Sequence, residues 1–492
     1  MIRRISVVSL GLTLTLSLFA RDEYTRSFDK TLAVRSGERI VLEHKLGDIV
    51  IHTHPQQEAT IHAVIRVSAS DSGQAKQFAD RVEILVEPAS ELSIRTRYPD
   101  TPRSFFGMQN ISFSVHYDLT VPENSPLEVR NAFGSVSATG VKASSVIATS
   151  HGDLSFRDGR GAQRLENSFA RVDVANNVGD VSVQTNNGAV DAANITGGLT
   201  IRDRFASITV GRVSNGVDVS NSNGAVQVTE SGGSGNVTNS FGEVAVRGFR
   251  GDLTVNNSNG RVEATGVSGS ANLRTTFGEV TFSDIGHQLS IRANNSRISG
   301  SKVGGPLTIV NSFGAIDVTD VRRDVHIESG NGGVSLENVG GAASVRTSFG
   351  LVQATAIGGE LSVENSNGGV KASGTQGAQI TTSFGPVILD GVSGPIQIQN
   401  QNGAVEAAST LHGSCQPIAV RTSFSALRIH LQPDASYRVI AKTSFGKIRS
   451  DFPLSVSGSL SNDDLDGVLG GGHCEMRLTD NNGNIEILKA SH

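Results

Sequence analysis

The sequence predicts an all-β chain wound as a parallel β-solenoid, a β-helix-like fold, and three observations carry that reading. A short motif recurs every 18 residues, apolar residues alternate with period two inside each unit, and the composition suits one long regular structure. In 492 residues there are 56 Gly, 12 Pro, 3 Met and no Trp. The period is visible in Asn239-Ser240-Phe241-Gly242, answered by Asn257-Ser258-Asn259-Gly260. With its last residue as a ruler, positions 134, 152, 170, 188, 206, 224, 242, 260, 278, 296, 314, 332, 350 and 368 follow without a break. Gly385 arrives one residue early and Gly403 restores the step.

Each unit reads as two short strands. Val244 and Val246 alternate with Glu243, Ala245 and Arg247, and Leu253 and Val255 alternate with Asp252, Thr254 and Asn256. Gly251 and Gly260 mark corners that need residues tolerant of positive φ. Asn-Gly is also a hairpin signal, so antiparallel hairpins are the rival reading. A meander has no need for identical residues at a fixed interval, whereas a solenoid sets equivalent positions directly above one another, and the parallel solenoid is favoured.

The residue before the ruler alternates between Phe and Asn: Phe205, Asn223, Phe241, Asn259, Phe277, Asn295, Phe313, Asn331, Phe349 and Asn367 in turn. Stacked rings and Asn ladders stabilise when like lies on like at about 4.8 Å. In a coil of 18 residues each Phe would lie on an Asn, so the alternation favours 18-residue units paired as 36-residue coils, with the narrow coil as the alternative. On that reading Phe241, Phe277, Phe313 and Phe349, Asn223, Asn259 and Asn367, and Gly242 and Gly260 are structural ladder positions, and the rings belong to the core.

The repeats occupy residues 126–405. Residues 21–125 keep strand patterning without the ruler and form an N-terminal β-rich cap, with one short helix expected over 72–82, where Ala75, Phe78 and Val82 are helically spaced. Residues 406–492, where the ruler stretches to Ser425, Gly446 and Gly483, are irregular repeats and a C-terminal cap. Residues 1–20 read as a secretory signal peptide: Arg3 and Arg4, an apolar run from Ile5 to Phe19, then Ala20 before charged residues. The protein is therefore expected to be exported, to the periplasm, the cell envelope or the medium, with no transmembrane segment after the signal. Cys415 and Cys474 both lie in Gly-rich stretches, and in an oxidising compartment they form a disulfide if their Cα atoms approach, which sequence does not decide.

"YDLTVPENSPLEVRNAFGSV", the alternating "TSFG" and "NSNG" units and the late "TSFGKIRSDFPLSV" together resemble the bacterial DUF4097 family, whose members carry the label adhesin. The resemblance spans most of the chain after residue 20. It implies a β-helix-like exported or envelope protein and brings no catalytic residues.

A net charge of -5 without a basic cluster gives no footprint for nucleic acid. His52 and His54 lie two apart on a strand and form the one beginning of a metal site, beside His44 and His62, yet no carboxylate or Cys at fixed spacing completes it. Glu243, Glu263, Asp317 and Glu364 recur singly, without the dense acidic group of a polysaccharide lyase or glycosidase. The expectation is a non-enzymatic scaffold without cofactor, adhesin-like, meeting an envelope polymer, glycan or surface protein. The alternatives are a polysaccharide-active β-helix enzyme and an envelope-stress regulatory component.

Overall fold

The computed structural model describes residues 22–99, 111–456 and 461–490; the signal-peptide reading of residues 1–20 lies outside them. The fold is an all-β parallel solenoid of about 17 turns of about 18 residues, with an extra sheet at its C-terminal end. It divides into two compact units, residues 1–160 and 161–492.

The coil holds 18 residues, not 36. In the second unit Leu253–Asn259 lies parallel on Gly235–Phe241 with Leu253 over Gly235 and Asn259 over Phe241, and Ala271–Phe277 continues the stack with Phe277 over Asn259. The opposite sheet keeps the same step, Val262–Val267 lying on Val244–Phe249. The wide-coil expectation fails because it applied the like-on-like rule to the wrong column. Like lies on like inside the coil, where Val246, Ala264 and Phe282 fill one column and Leu253, Ala271 and Leu289 another, all buried. The aromatic member of a column is matched to small neighbours: beside Phe282 stand Ala264 and Gly300, and a Cβ on Gly300 would come within 2.6 Å of the ring.

Two corners close each coil. At the first, one column adopts φ between 54° and 72°, occupied by Gly248, Gly266 and Gly374 but also by Arg212, Glu230, Lys302 and Ala356. Asn176, Asn194, Asp284, Asp320 and Asn338 hold the same turn, so Gly, Asn and Asp, the residues that tolerate the left-handed region best, fill most of the column. At the second corner the ruler glycines reverse the chain, with φ 118° at Gly242 and 134° at Gly260, and a Cβ on Gly260 would fall inside contact distance of the Gly242 carbonyl oxygen. Gly251, expected to need positive φ, does not have it. It is required for close approach instead, since a Cβ there would lie 2.6 Å from the Ser234 backbone nitrogen.

The same corner is held from within by a buried polar column three residues before the ruler. Asn239 donates from Nδ2 to the carbonyls of Gly224 (3.1 Å) and Phe241 (3.2 Å), Asn257 to Gly242 (3.0 Å) and Gly260 (3.2 Å), and Asn400 to Gly385 (3.0 Å) and Gly403 (3.1 Å). This is the Asn ladder of the fold. It satisfies carbonyls that the reversal leaves outside the strand pairing. Asp203 stands in that column; burial raises its carboxyl above the ordinary value, partly offset by the backbone N–H groups of Ala206, Arg204 and Phe205.

Both ends are closed by strands taken out of sequence order. In the first unit Ile40–Glu43 lies between Leu92–Arg97 and Leu127–Arg130, and Ile49–His54 between Ser112–Pro122 and Val136–Thr139, all parallel. Glu58–Ala69 then pairs antiparallel with Ser112–Pro122, and Asp22–Ala33 with Glu58–Ala69. The expected helix is present as Ser72–Arg81, capped by Asp71 Oδ2 accepting from the Gln74 N–H at 3.1 Å, with Ala75, Phe78 and Ala79 buried. In the second unit the last two strands, Cys474–Asp480 and Ile485–Lys489, insert between strands that precede them. Cys474–Asp480 separates Ile418–Arg421 from Tyr437–Thr443, and Ile485–Lys489 separates Leu427–Leu431 from Ile448–Ser450. Asp464–Leu469 covers Tyr437–Thr443 antiparallel. Such closures blunt edges that would otherwise recruit other chains.

Cys415 and Cys474 form a disulfide, with Cα atoms 5.9 Å apart across 59 residues, and it ties the inserted coil to the loop before Ile418–Arg421. Among the described residues no helix is long and apolar enough to cross a membrane.

Three outcomes follow. Gly260→Ala will lower stability by at least about 3 kcal/mol, because the added Cβ meets backbone at positive φ, read from the urea midpoint. Asp203→Asn will raise stability by about 1 kcal/mol at neutral pH through the carbonyl bonds its Asn neighbours make. The folded-state pKa of Asp203 is raised, so its contribution is complete below the ordinary 3.8 and is lost as pH rises through the folded value; the advantage of Asn must therefore vanish in acid, in urea titrations at several pH values. Reducing Cys415–Cys474 will remove about 4 kcal/mol from the C-terminal coils by the chain-entropy argument, seen as faster amide exchange confined to Cys474–Asp480 and Ile485–Lys489.

Candidate functional site

The position before the ruler was expected inside because period two, counted through Leu253, Val255 and Asn257, places residue 259 inward. The corner overrides the count. After Asn257 turns in, Ser258 and Asn259 both lie outside as the chain bends toward Gly260. The rings therefore leave the core: Phe205, Phe241, Phe277, Phe313, Phe349, Phe384 and Phe424 are each 50–59% exposed. They are a surface feature, and the core assignment of Phe241, Phe277, Phe313 and Phe349 is corrected accordingly. Between them stand Asn223 and Asn259, half-buried, and Asn367, exposed. Asn223 Nδ2 reaches the Arg204 carbonyl at 3.5 Å and Asn259 Nδ2 the Ser240 carbonyl at 3.4 Å, so these amides lie back along the coil while the rings stand out.

The second unit thus carries a row of half-exposed rings, one every second coil, about 9.6 Å apart along the stack. From Phe205 to Phe424 there are 13 positions and 12 steps, a length of about 58 Å. In chain order the alternation breaks at the end, where Phe424 is followed by Phe445. In space it does not. The inserted coil brings Asn482 between them: the Asn482 N–H donates to the Ser423 carbonyl at 3.0 Å and the Phe445 N–H to the Asn481 carbonyl at 2.9 Å. Phe445 ends the row at 84% exposure. Tandem duplication alone does not explain an alternation restored by a coil inserted out of order.

The flank of the row changes along its length. Two residues past each ring or amide stand Glu243, Arg261, Glu279 and Arg297, and farther on Ala315, Gly333, Leu351, Gly369, Pro386 and Ala404. Leu351 is exposed there, widening the apolar strip. In the first unit the equivalent position shows what two successive rings do: Phe133 and His151 stack with centroids 4.6 Å apart and planes 20° from parallel.

Other surfaces of the described residues are concave. A groove of about 1200 Å³ follows the positive-φ corner from Gly266 to Ser393, but its polar groups bind one another, Lys302 to Asp284 at 3.7 Å and Asn338 to Asp320 at 3.1 Å, and its Val and Ile residues face the core. In the first unit a recess of about 560 Å³ beside His44 is lined by Arg95, Thr96, Arg97 and Tyr98. His44 is buried with Nδ1 3.0 Å from Thr96 Oγ1, which in turn lies 2.6 Å from the Tyr117 hydroxyl; burial pushes the imidazole down to about 4, so it is neutral and serves packing.

The remaining sequence candidates do not converge. His52 is exposed; His54 bonds Gln56 and the Glu58 carbonyl, and His62 pairs with Asp29 at 2.6 Å. Among the described residues no group of three or more His, Cys, Asp or Glu is placed to hold a metal. Glu263 is held by Arg247 at 2.6 Å, Asp317 by Arg297 at 3.0 Å and Glu364 by Arg346 at 2.6 Å. The exposed row was missed for want of a corner rule; its signal in the sequence was the retention of polar Asn at every second equivalent of Phe.

No known family profile matches the chain, and no curated protein matches it, so the family resemblance rests on the quoted motifs alone. Among solved structures, a chain from Clostridium sporogenes provisionally described as a cell adhesion protein aligns with 42% of this chain and 99% of its own length, at 9% identity and a TM-score of 0.22. A likeness of that size carries no argument about function.

Proposed function

We propose that the chain is an exported, non-enzymatic solenoid scaffold, adhesin-like, that meets its partner in the cell envelope or at the cell surface through the Phe row. The observation that carries the reading is the half-exposure of seven rings from Phe205 to Phe424 along one edge of the stacked coils. Exposed aromatic rings in a contiguous line cost solvation free energy in the isolated chain, and such surfaces mark interaction sites. A scaffold of stacked coils presents them rigidly, so little order is lost on binding. The disulfide supports an oxidising compartment. The enzymatic alternative needs paired carboxylates with separated pKa values, whereas Glu263, Asp317 and Glu364 each sit against an arginine.

The test compares the wild-type chain with Phe277→Ser/Phe313→Ser/Phe349→Ser. The expected result is retention of the wild-type chain on envelope fractions or whole cells that carry it and at least tenfold weaker retention of the variant, with no turnover in a screen of acidic and neutral glycans. Equal retention of the two chains, or glycan turnover, would overturn the reading.

A further inference from the structure

Resting on the row as an interaction surface, we infer that its partner is a second copy of this chain, docked antiparallel so that the two rows of rings interdigitate. The spacing makes the fit. Rings about 9.6 Å apart leave, at each Asn, a slot whose centre is about 4.8 Å from the ring above and the ring below. Aromatic pairs favour centroid separations of about 4.5–7 Å. Phe133 and His151 already stack at 4.6 Å on successive coils, so a ring at that height is accommodated by this backbone. A guest ring entering from a facing row takes the same place beyond the shorter Asn amide, and at Asn223 and Asn259 the side chains, drawn back onto the Arg204 and Ser240 carbonyls, keep the slots open.

Symmetry fixes the direction. In a closed dimer with its two-fold axis along the row, each ring would face its own equivalent at the same height, ring against ring and amide against amide. A two-fold axis across the row runs the partners antiparallel and permits a half-step offset, so every ring meets a slot. The area is sufficient. A Phe side chain offers about 150–250 Å², so seven rings at about half exposure contribute about 700 Å² per copy, close to the 800 Å² or so per partner of a standard interface. Leu351 adds to it on the less charged half of the row. The alternation itself is then explained: a row of Phe at every coil would have no slots, and a row of Asn no rings. The inserted Asn482 preserves the pattern where the chain order would have set Phe424 beside Phe445.

The experiment is sedimentation velocity of the full chain, disulfide intact, with two variants. The wild type is expected to sediment as a dimer. Phe277→Ser/Phe313→Ser/Phe349→Ser should weaken the dimer at least a hundredfold. The deciding variant is Asn259→Phe/Asn295→Phe/Asn331→Phe, which fills three slots and enlarges the apolar surface: interdigitation predicts loss of the dimer, with circular dichroism unchanged from wild type, whereas unspecific hydrophobic association predicts stronger self-association. A dimer that persists or tightens in the slot-filled variant overturns the inference. So does a wild-type chain that is monomeric at tens of micromolar; if that monomer still binds envelope material through the row, the scaffold reading stands and only the homotypic partner is lost.

Discussion

The repeats of this protein depend on one constraint: through most of the coils a residue lies about 4.8 Å above or below the residue 18 positions away, held by parallel backbone pairing. Because the step is fixed, a single side chain becomes a column and a single choice of side chain becomes a property of an entire edge. Buried columns must be compatible with themselves, which is why Val, Leu and Ile fill them and why Phe282 stands between Ala264 and Gly300. The polar column at Asn239 and Asn257 obeys the same rule with hydrogen bonds, each amide binding carbonyls of its own coil and the preceding one. Exposed columns are released from the rule. There the chain alternates Phe with Asn, and the rings stand half-exposed.

Such stacking creates a difficulty at the ends, where a bare coil offers a row of unpaired backbone groups. Both units solve it by strand order. The coil at Ile40–Glu43 and Ile49–His54 is covered by strands that come later in the chain, and the coil at Tyr437–Thr443 is separated from its predecessor by strands that come later still. The Cys415–Cys474 disulfide fastens the inserted coil. The strand Asp22–Ala33 keeps one open edge in the first unit, whereas the Phe row of the second unit offers contact through side chains.

The electrostatic surface supports the same division of labour. Carboxylates on the outer faces are matched with arginines one coil away, as in Arg247 with Glu263 and Arg297 with Asp317, and these exposed pairs contribute little stability while keeping the faces neutral and hydrated. Between Phe313 and Phe424 the flank of the row is apolar, with Leu351 exposed.

The amino-acid sequence by itself determined the solenoid, the two strands per unit, the short helix at Ser72–Arg81 and the positions of the ruler glycines, because periodicity and local propensity are short-range properties that survive without coordinates. It left open whether Cys415 meets Cys474, and it misdirected the reading of coil length and ring burial. Those depended on two things no local pattern encodes. The register between coils decides what lies above Phe241, and the bend at Gly260 decides which side of the wall residue 259 faces, against the period-two count that precedes it. Only the tertiary structure fixed both, since a corner's rotation and a strand's neighbour arise from chain closure over 18 residues and from coils inserted out of order, not from the residues nearby.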